Sequence, residues 1–437
     1  MAVGKTSNPK PDSAASANRD SDTVDTFVDV SEYQKLDDRQ LNALLSQHKI
    51  SVDKDASSAG KIRAVIDRQI SLGHKLVGAG TLQVLPDGFG FLRSRWFNYL
   101  GGPDDIYVSP SQIRKFSLTN GDLVSGQIRP PKENERFFAL LRVLKVNDME
   151  PSKAIEAPEF DDLSPLAPNR QILTGAPDSD DSCRIVDLVS PIGFGQRGII
   201  VSPPRSGKTR MVEQLCQGML NSDSNVYAYV LLVDQRPEEI TELERKLNGP
   251  RCEVISSVFD ESSFRHHDVA MMVLEKAKRM VELGEHVVIF LDSLTNLARF
   301  ELGPGYLANR LEPDSLPRTR SFLASARLTE EAGSLTIIGT LTTNSTNELD
   351  DLIAEILRST SNMEIQLDHE LVKRRIWPAI NVHLSQCQQE EVLLGDQYGA
   401  VCKLRRKLGD LSAPEAMDLL LSKIESSDSN EKLLGDL

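Results

Sequence analysis

Residues 203–209 read Pro-Pro-Arg-Ser-Gly-Lys-Thr and lie between an apolar run and a helix-like stretch. A strand, a glycine-containing loop and a helix in this order are typical of a phosphate-binding loop. The backbone N–H groups of such a loop face phosphates, the Lys208 ammonium reaches the β- and γ-phosphates, and the Thr209 hydroxyl can ligate Mg²⁺. The first glycine of the general pattern is replaced by Ser202, and a chance Gly-Lys-Thr in a surface turn is the alternative. The nucleotide-binding residues expected here are Pro204, Arg205, Ser206, Gly207, Lys208, Thr209 and Arg210.

A second candidate site residue follows an apolar run farther along the chain. Residues 286–291 have the composition of a central strand in a parallel sheet, and Asp292 comes directly after them. An acid at the carboxyl end of such a strand lies where ligands bind in open α/β sheets, and it can hold Mg²⁺ through water. A strand that ends in Asp is common by itself. Together with the loop it predicts an MgATP site with Thr209 and Asp292 on the metal side.

A third apolar run, 226–233, is followed by Asp234, Gln235 and Arg236. In many ring ATPases a Glu after this strand orients and activates the attacking water. The neutral amide of Gln235 can hold a water molecule but cannot accept its proton. Gln235 and Arg236 are therefore candidate catalytic residues in an altered site.

Residues 80–147 contain short β-type runs between Gly, Pro and Asp turns, which is typical of a small barrel. Phe89 and Phe91 alternate along one of these runs, so both rings lie on one face of a strand. A small barrel that carries aromatic rings beside cations can bind single-stranded nucleic acid, because the rings stack on bases and the cations contact phosphates. The alternative is that both rings belong to the core. The polar and aromatic residues expected around the two rings are Arg93, Tyr107, Arg114, Lys115, Arg129 and Lys132.

The composition, 40% hydrophobic and 26% charged over 437 residues, is ordinary for a soluble protein of about three domains. No apolar run approaches the roughly 18–20 residues that span a bilayer, and no signal peptide is visible, so we expect a cytoplasmic protein without a membrane partner. Five scattered cysteines without CxxC spacing argue against disulfides and zinc. The net charge of −14 does not suggest nucleic-acid binding, although a local basic groove can bind phosphates on an acidic protein.

The predicted fold class is multidomain α/β, with a helical module, a β-barrel and a P-loop domain built on a mainly parallel sheet. The expected divisions are a disordered tail at 1–30, the helical module at 31–76, the barrel at 77–148, a linker at 149–182, the P-loop domain at 183–424 and a polar tail at 425–437.

From about residue 35 to residue 421 the chain resembles the bacterial transcription termination factor Rho family. The motifs that carry the resemblance are residues 102–114, 128–133, 190–193, 203–209, 236–239, 259–261, 274–279, 291–295 and 333–338. The resemblance implies a homohexameric ring helicase with an OB/cold-shock-like barrel for nascent single-stranded RNA. It also implies a RecA-like domain that hydrolyses ATP between subunits. Contact with the transcription machinery is compatible with it.

The same resemblance implies roles for particular residues. It places Phe89, Phe91, Arg93 and Tyr107 in the primary RNA site, and Lys208, Thr209 and Asp292 around MgATP. Trp377 would stack on adenine, where the family has Phe.

Departures from the family pattern cluster on the parts that hydrolyse ATP and move RNA. The family's catalytic Glu is Gln235 here, and the position of its arginine finger, which acts in trans, is Gln388, although Arg375 upstream is kept. One central RNA loop is shorter, at residues 301–306, and the Lys of the other is replaced by Glu348. Losing finger and base together predicts little hydrolysis, since a finger alone contributes roughly 10³–10⁵ in rate.

Two hypotheses follow, and they differ in whether the protein hydrolyses ATP at a useful rate. The chain is either a working Rho-type helicase with unusual residues or an RNA- and ATP-binding relative that acts as a regulatory module. A RecA-like ATPase unrelated to RNA is disfavoured by the barrel. Glu238 or Glu239 could replace the missing base, and Arg299 or Arg375 the finger.

Overall fold

The computed structural model describes residues 27–53, 56–102, 104–132, 134–176, 179–223, 225–258, 263–303, 305–306 and 311–436. The tail predicted at 1–30 lies largely outside this part of the chain. Its last residues, however, form a strand, Phe27–Asp29, and the start of a helix at Val30. The motif at 259–261 and residue 304 of the shortened central loop also lie outside the described residues.

The helical module packs against the barrel through an apolar face. Asp37 caps the second helix in a capping box with Gln40. Leu41 and Ile66 are buried in the same core as the barrel strands. The elements of this module are β1 Phe27–Asp29, α1 Val30–Gln34, α2 Asp38–Gln47 and α3 Ser58–Ser71.

The predicted barrel is confirmed as a closed five-stranded structure. Its strands run in the order β2-β3-β4-β6-β5, β2 pairs with β5 to close the barrel, and β1 adds to β2. Gly126 on β5 lets this strand pair closely with β6, because a Cβ there would come within 2.2 Å of the Arg142 carbonyl oxygen. The barrel elements are β2 Lys75–Val84, β3 Gly90–Arg93, β4 Ile106–Val108, α4 Pro110–Lys115, β5 Leu123–Arg129, β6 Phe138–Val146 and α5 Pro151–Ala154.

The second half of the chain is an α/β domain around one large sheet. Six parallel strands lie in the order β10-β9-β11-β13-β8-β14, and β15 adds antiparallel at the β14 edge. Its strands are β7 Pro165–Leu166, β8 Arg197–Ser202, β9 Val226–Gln235, β10 Cys252–Val258, β11 His286–Asp292, β12 Arg327–Thr329, β13 Ser334–Thr342, β14 Met363–Gln366 and β15 Gln386–Cys387. Both faces of the sheet are covered, which explains why its strands read as continuous apolar runs.

The helices of this domain form two layers with separate apolar cores. The helices are α6 Asp181–Val189, α7 Lys208–Ser222, α8 Pro237–Leu247, α9 Ser263–Glu282, α10 Leu294–Leu302, α11 Pro317–Ala324, α12 Glu348–Arg358, α13 His369–Lys373, α14 Glu390–Leu394, α15 Tyr398–Gly409, α16 Ala413–Glu425 and α17 Asn430–Gly435. None of the helices in the described part of the chain is long and apolar enough to cross a membrane.

The two segments predicted as a linker and a polar tail are packed parts of this domain. In the linker, Phe160 and Ile172 are fully buried in the cores, because apolar residues recur within the acidic, proline-rich stretch. The tail forms α17, whose Leu433 is buried. The buried Arg184 guanidinium donates to the carbonyl oxygens of Ile424 and Ser427 at distances of 3.0 and 2.7 Å, which fixes the start of the tail.

Strand order brings the candidate site residues to one edge of the sheet. Asp292 at the end of β11 is in register with Leu232 of β9, and Ser202 at the end of β8 is in register with Thr342 of β13. Because these strands are parallel, their carboxyl ends meet at the phosphate-binding loop.

Candidate nucleotide and RNA sites

The loop at 203–207 connects β8 to α7 with the backbone geometry that a phosphate site needs. Gly207 adopts φ +85° directly before α7, and Arg205 adopts φ +61°. A Cβ on Gly207 would also come within 3.0 Å of the Trp377 ring, so both the conformation and the space require glycine. The buried hydroxyls of Ser202 and Ser206 have no hydrogen-bond partner within the described residues. Such hydroxyls fit a site that is completed by bound phosphate or water.

The metal-side residues Thr209 and Asp292 are in direct contact. The Thr209 hydroxyl donates to Asp292 Oδ2 at 2.7 Å, and the Thr340 hydroxyl donates to Oδ1 at 2.6 Å. Lys208 Nζ lies 3.1 Å from the Thr342 hydroxyl and 3.8 Å from Asp292 Oδ1. No cluster of three metal-ligating side chains occurs within the described residues. The contacting Thr209 hydroxyl and Asp292 carboxylate suit Mg²⁺ that is otherwise held by nucleotide phosphates and water.

Gln235 lies beside this metal-side pair, at the end of β9. Its Nε2 is 3.4 Å from the Asp292 carbonyl oxygen. Arg236 is exposed at the N-terminus of α8, and Glu239 in the first turn lines a cavity of about 760 Å³ together with Thr209. Gln235 thus lies next to the metal-side pair, and Glu239 is one of the carboxylates that line the cavity with Thr209.

Trp377 forms one wall of a smaller cavity behind the loop. This cavity, of about 190 Å³, is lined by Ser206, Gly207, Arg210 and Trp377. The Trp377 side chain is 39% exposed, so its indole is accessible to a planar ring. Of the residues expected to bind ATP, the structure brings Ser206, Gly207, Arg210 and Trp377 together here, while Pro204 and Arg205 lie exposed on the outside of the loop.

The candidate finger residues differ in whether they are free to reach a nucleotide. Gln388 is exposed just after the edge strand β15, and its backbone N–H donates to the Asn362 carbonyl oxygen at 3.0 Å. Arg375 is also exposed. Arg299 instead makes a two-point ion pair with the buried Asp350, with N–O distances of 2.9 and 2.6 Å. Arg299 is therefore already engaged and cannot serve as a finger in this conformation.

The barrel carries a group of four aromatic rings, which we call the aromatic cluster: Phe89, Phe91, Tyr107 and Phe137. Ring centroids are 5.8 Å apart for Phe89 and Phe91, 5.7 Å for Phe89 and Tyr107, and 4.9 Å for Phe91 and Phe137. Tyr107 and Phe137 also line an open cavity of about 720 Å³ with Arg136. The alternation of Phe89 and Phe91 did not indicate Phe137, although an aromatic next to Arg136 at the start of a strand could have.

Arg93 does not lie where it could contact an RNA phosphate, although the family resemblance places it in the RNA site. Its side chain is buried, forms an ion pair with Asp105, and donates to Gln83 Oε1 at 2.8 Å. Its guanidinium lies 4.9 Å from the centroid of the Phe91 ring. Arg93 therefore supports Phe91 from behind, because a buried and paired guanidinium does not face solvent.

Of the remaining basic candidates on the barrel, one borders the cavity that two of these rings line. Arg114 and Lys115 are exposed in the last turn of α4. In the described part of the chain neither side chain contacts a ring of the aromatic cluster, and Lys115 lies over Phe116. Arg129 borders the open cavity and pairs with Glu135, with an N–O distance of 2.9 Å. That hydrogen-bonded pair lowers the pKa of Glu135 to about 2.

Comparisons with known proteins match this division of the chain. Residues 78–152 match the family described as Rho termination factor, RNA-binding domain, and residues 182–387 match the nucleotide-binding domain of the ATP synthase alpha/beta family. The assembled ATPase EscN of the enteropathogenic E. coli type III secretion system shares the fold at a TM-score of 0.51 and 21% identity. That alignment covers 70% of this chain and 78% of the ATPase.

Curated relatives are similar over most of their length. The chain is 45% identical over 414 residues to transcription termination factor Rho of Rhodopirellula baltica, covering 93% of this chain and 80% of the relative. It is 43% identical to transcription termination factor Rho of Allochromatium vinosum, covering 86% and 91%. The chain combines a barrel that carries the aromatic cluster, a phosphate-binding loop, and 43–45% identity to these curated relatives. It therefore belongs to the transcription termination factor Rho family.

Proposed function

We propose that this protein is a Rho-type transcription termination factor that binds nascent single-stranded RNA on its barrel and MgATP at the subunit interfaces of a homohexameric ring. The observation that carries the proposal is that one chain holds both the aromatic cluster and the Thr209–Asp292 pair at a phosphate-binding loop. Rings on a barrel bind bases by stacking, and the loop binds phosphates.

The proposal includes slow ATP hydrolysis. Gln235 cannot accept a proton from water, and Gln388 cannot supply the charge that an arginine finger supplies to a neighbouring subunit. Arg299 is held by Asp350, which leaves Arg375 as the exposed candidate replacement finger. Glu239 is the candidate replacement base, since it shares a cavity with Thr209.

A second candidate function, an RNA- and ATP-binding regulatory module without helicase activity, is favoured by the charge of a predicted RNA loop. Glu348 begins α12, and Asp351 follows in the first turn. Acidic groups repel the RNA phosphates that a translocating loop must grip.

Assembly, metal and location are parts of the same proposal. A homohexameric ring follows from the family, in which the arginine finger acts in trans, and Gln388 at the finger position is exposed. Thr209 and Asp292 would hold Mg²⁺, which screens phosphate charge when bound. A cytoplasmic location and contact with the transcription machinery follow from the family. All five cysteines are free, which suits a reducing compartment.

The test measures MgATP binding by calorimetry, RNA binding by fluorescence anisotropy, and ATP hydrolysis with and without RNA, all on the purified wild-type protein. We expect both ligands to bind and hydrolysis to be slow, with weak stimulation by RNA. Absence of RNA or MgATP binding would contradict the proposal as a whole. Brisk RNA-dependent hydrolysis would contradict the impaired turnover and support a working helicase.

A further inference from the structure

Two large aromatic side chains lie exposed on the loop that joins β3 to β4. Trp96 and Phe97 are 46% and 40% exposed, and they belong to a single 3₁₀ turn, Arg95–Phe97, that Ser94 caps. Arg95 stacks on Trp96 with 4.7 Å between its guanidinium carbon and the ring centroid. We call Trp96 and Phe97 the Trp96–Phe97 platform.

The platform is fixed in position by the residues that follow it. The Asn98 side-chain oxygen accepts a hydrogen bond from the Ser256 backbone N–H at 3.2 Å. The buried Tyr99 hydroxyl donates to Glu253 at 2.5 Å and accepts from Lys276 at 2.7 Å. These partners belong to β10 and α9 of the ATPase domain. The two rings are thus held at the junction of the domains, and their exposure is not the result of a loose loop.

The platform also follows β3, the strand that carries Phe91. The Arg93 guanidinium, which supports Phe91, is 3.2 Å from the place that a Cβ on Gly101 would occupy. The Phe97 ring is 3.6 Å from the corresponding place at the next residue, Gly102. Gly101 and Gly102 therefore pack against the Arg93 guanidinium and the Phe97 ring, which places the support of Phe91 and the Phe97 ring beside neighbouring residues of one loop.

We propose that the Trp96–Phe97 platform is a second base-stacking site that receives RNA as it leaves the aromatic cluster toward the ATPase domain. The inference rests on the proposed function, in which the cluster binds RNA. Single-stranded RNA is the occupant because the platform follows the strand that carries Phe91 and has a guanidinium, Arg95, beside its larger ring. A planar base stacks on exposed Trp or Phe regardless of sequence, and a nearby cation attracts phosphate.

The experiment uses Trp96 as its own reporter. The chain has two tryptophans, Trp96 and Trp377, so the Trp377→Phe variant leaves Trp96 as the sole source of indole fluorescence. We titrate the full chain with single-stranded RNA of about 4 and about 12 nucleotides, lengths within the range that barrels of this kind cover. We expect the longer RNA to quench Trp96 fluorescence and the shorter RNA to leave it nearly unchanged.

Affinity provides the second measurement. The Trp96→Ala, Phe97→Ala double variant should bind the longer RNA about 5- to 150-fold more weakly for each base that loses its stacking partner, and the shorter RNA equally well. The Phe27→Ala variant is the matched control, because Phe27 is an exposed aromatic, 53% exposed, on β1. It should bind both RNAs as the wild type does.

The outcomes separate this inference from the proposed function. Failure of the wild type to bind either RNA contradicts RNA binding by the barrel. Binding of the longer RNA without a change in Trp96 fluorescence or in the affinity of the double variant overturns the platform alone. If the double variant binds RNA as the wild type does but has a different mass in light scattering, the inference is also overturned. The two rings then belong to a contact between subunits.

Discussion

Restoring both missing catalytic groups should raise ATP hydrolysis by more than the two single restorations combined. The changes are Gln235→Glu, which returns a proton acceptor to the end of β9, and Gln388→Arg, which returns a cation at the exposed position after β15. A general base contributes roughly 10²–10⁴ in rate and an arginine finger roughly 10³–10⁵. Because both act on one transition state, we expect less than about tenfold from each change alone and at least about 10³-fold from the pair.

The structure indicates that both changes are tolerated. Gln388 is exposed, so an Arg there needs no rearrangement of the core. Gln235 makes one long contact, 3.4 Å, with the Asp292 carbonyl oxygen, so replacing its amide should cost no more than about 1 kcal/mol of stability.

The assay is phosphate release at saturating MgATP with excess single-stranded RNA. Gln389→Arg, made in the Gln235→Glu background, is the matched control, because it adds the same charge one residue away from the finger position. Brisk hydrolysis by the wild type, or a double variant no faster than the product of the single effects, would refute the reasoning. An equal gain from Gln389→Arg would show that charge in general, and not the finger position, is responsible.

Three further predictions concern RNA, nucleotide and pH. Phe89→Ala with Phe91→Ala should weaken RNA binding by about 2–6 kcal/mol in anisotropy titrations, at one to three per base, and unchanged affinity in a folded variant would remove these rings from the site. Lys208→Ala should abolish MgATP binding in calorimetry with little change in melting temperature, since the side chain is partly exposed and packs in no core; retained binding would contradict its assigned role. Burial raises the pKa of Glu282 to about 7, so the folded state binds its proton more tightly than the unfolded state does. The unfolding free energy should therefore fall as pH rises from about 5 to about 7.5, and Glu282→Gln should flatten this slope in urea titrations; an equal slope would contradict the assignment.

Local sequence patterns determined the two main domains and the outline of the nucleotide site. The loop at 203–209 and the acid after the strand at 286–291 are each encoded within a few residues, and parallel strands bring their ends together. The alternation of Phe89 and Phe91 likewise places both rings on one face. These predictions needed no knowledge of distant partners.

Only the tertiary structure decided which charged side chains are free and which apolar segments are packed. Arg93 and Arg299 look alike as candidate ligands in the sequence, yet one is buried against Asp105 and the other is paired with Asp350, 51 residues away. Phe160 and Leu433 lie in stretches that read as polar, yet both fill the ATPase core. The physical reason is that burial and ion pairing depend on partners distant in sequence, and composition within a short window contains no information about them.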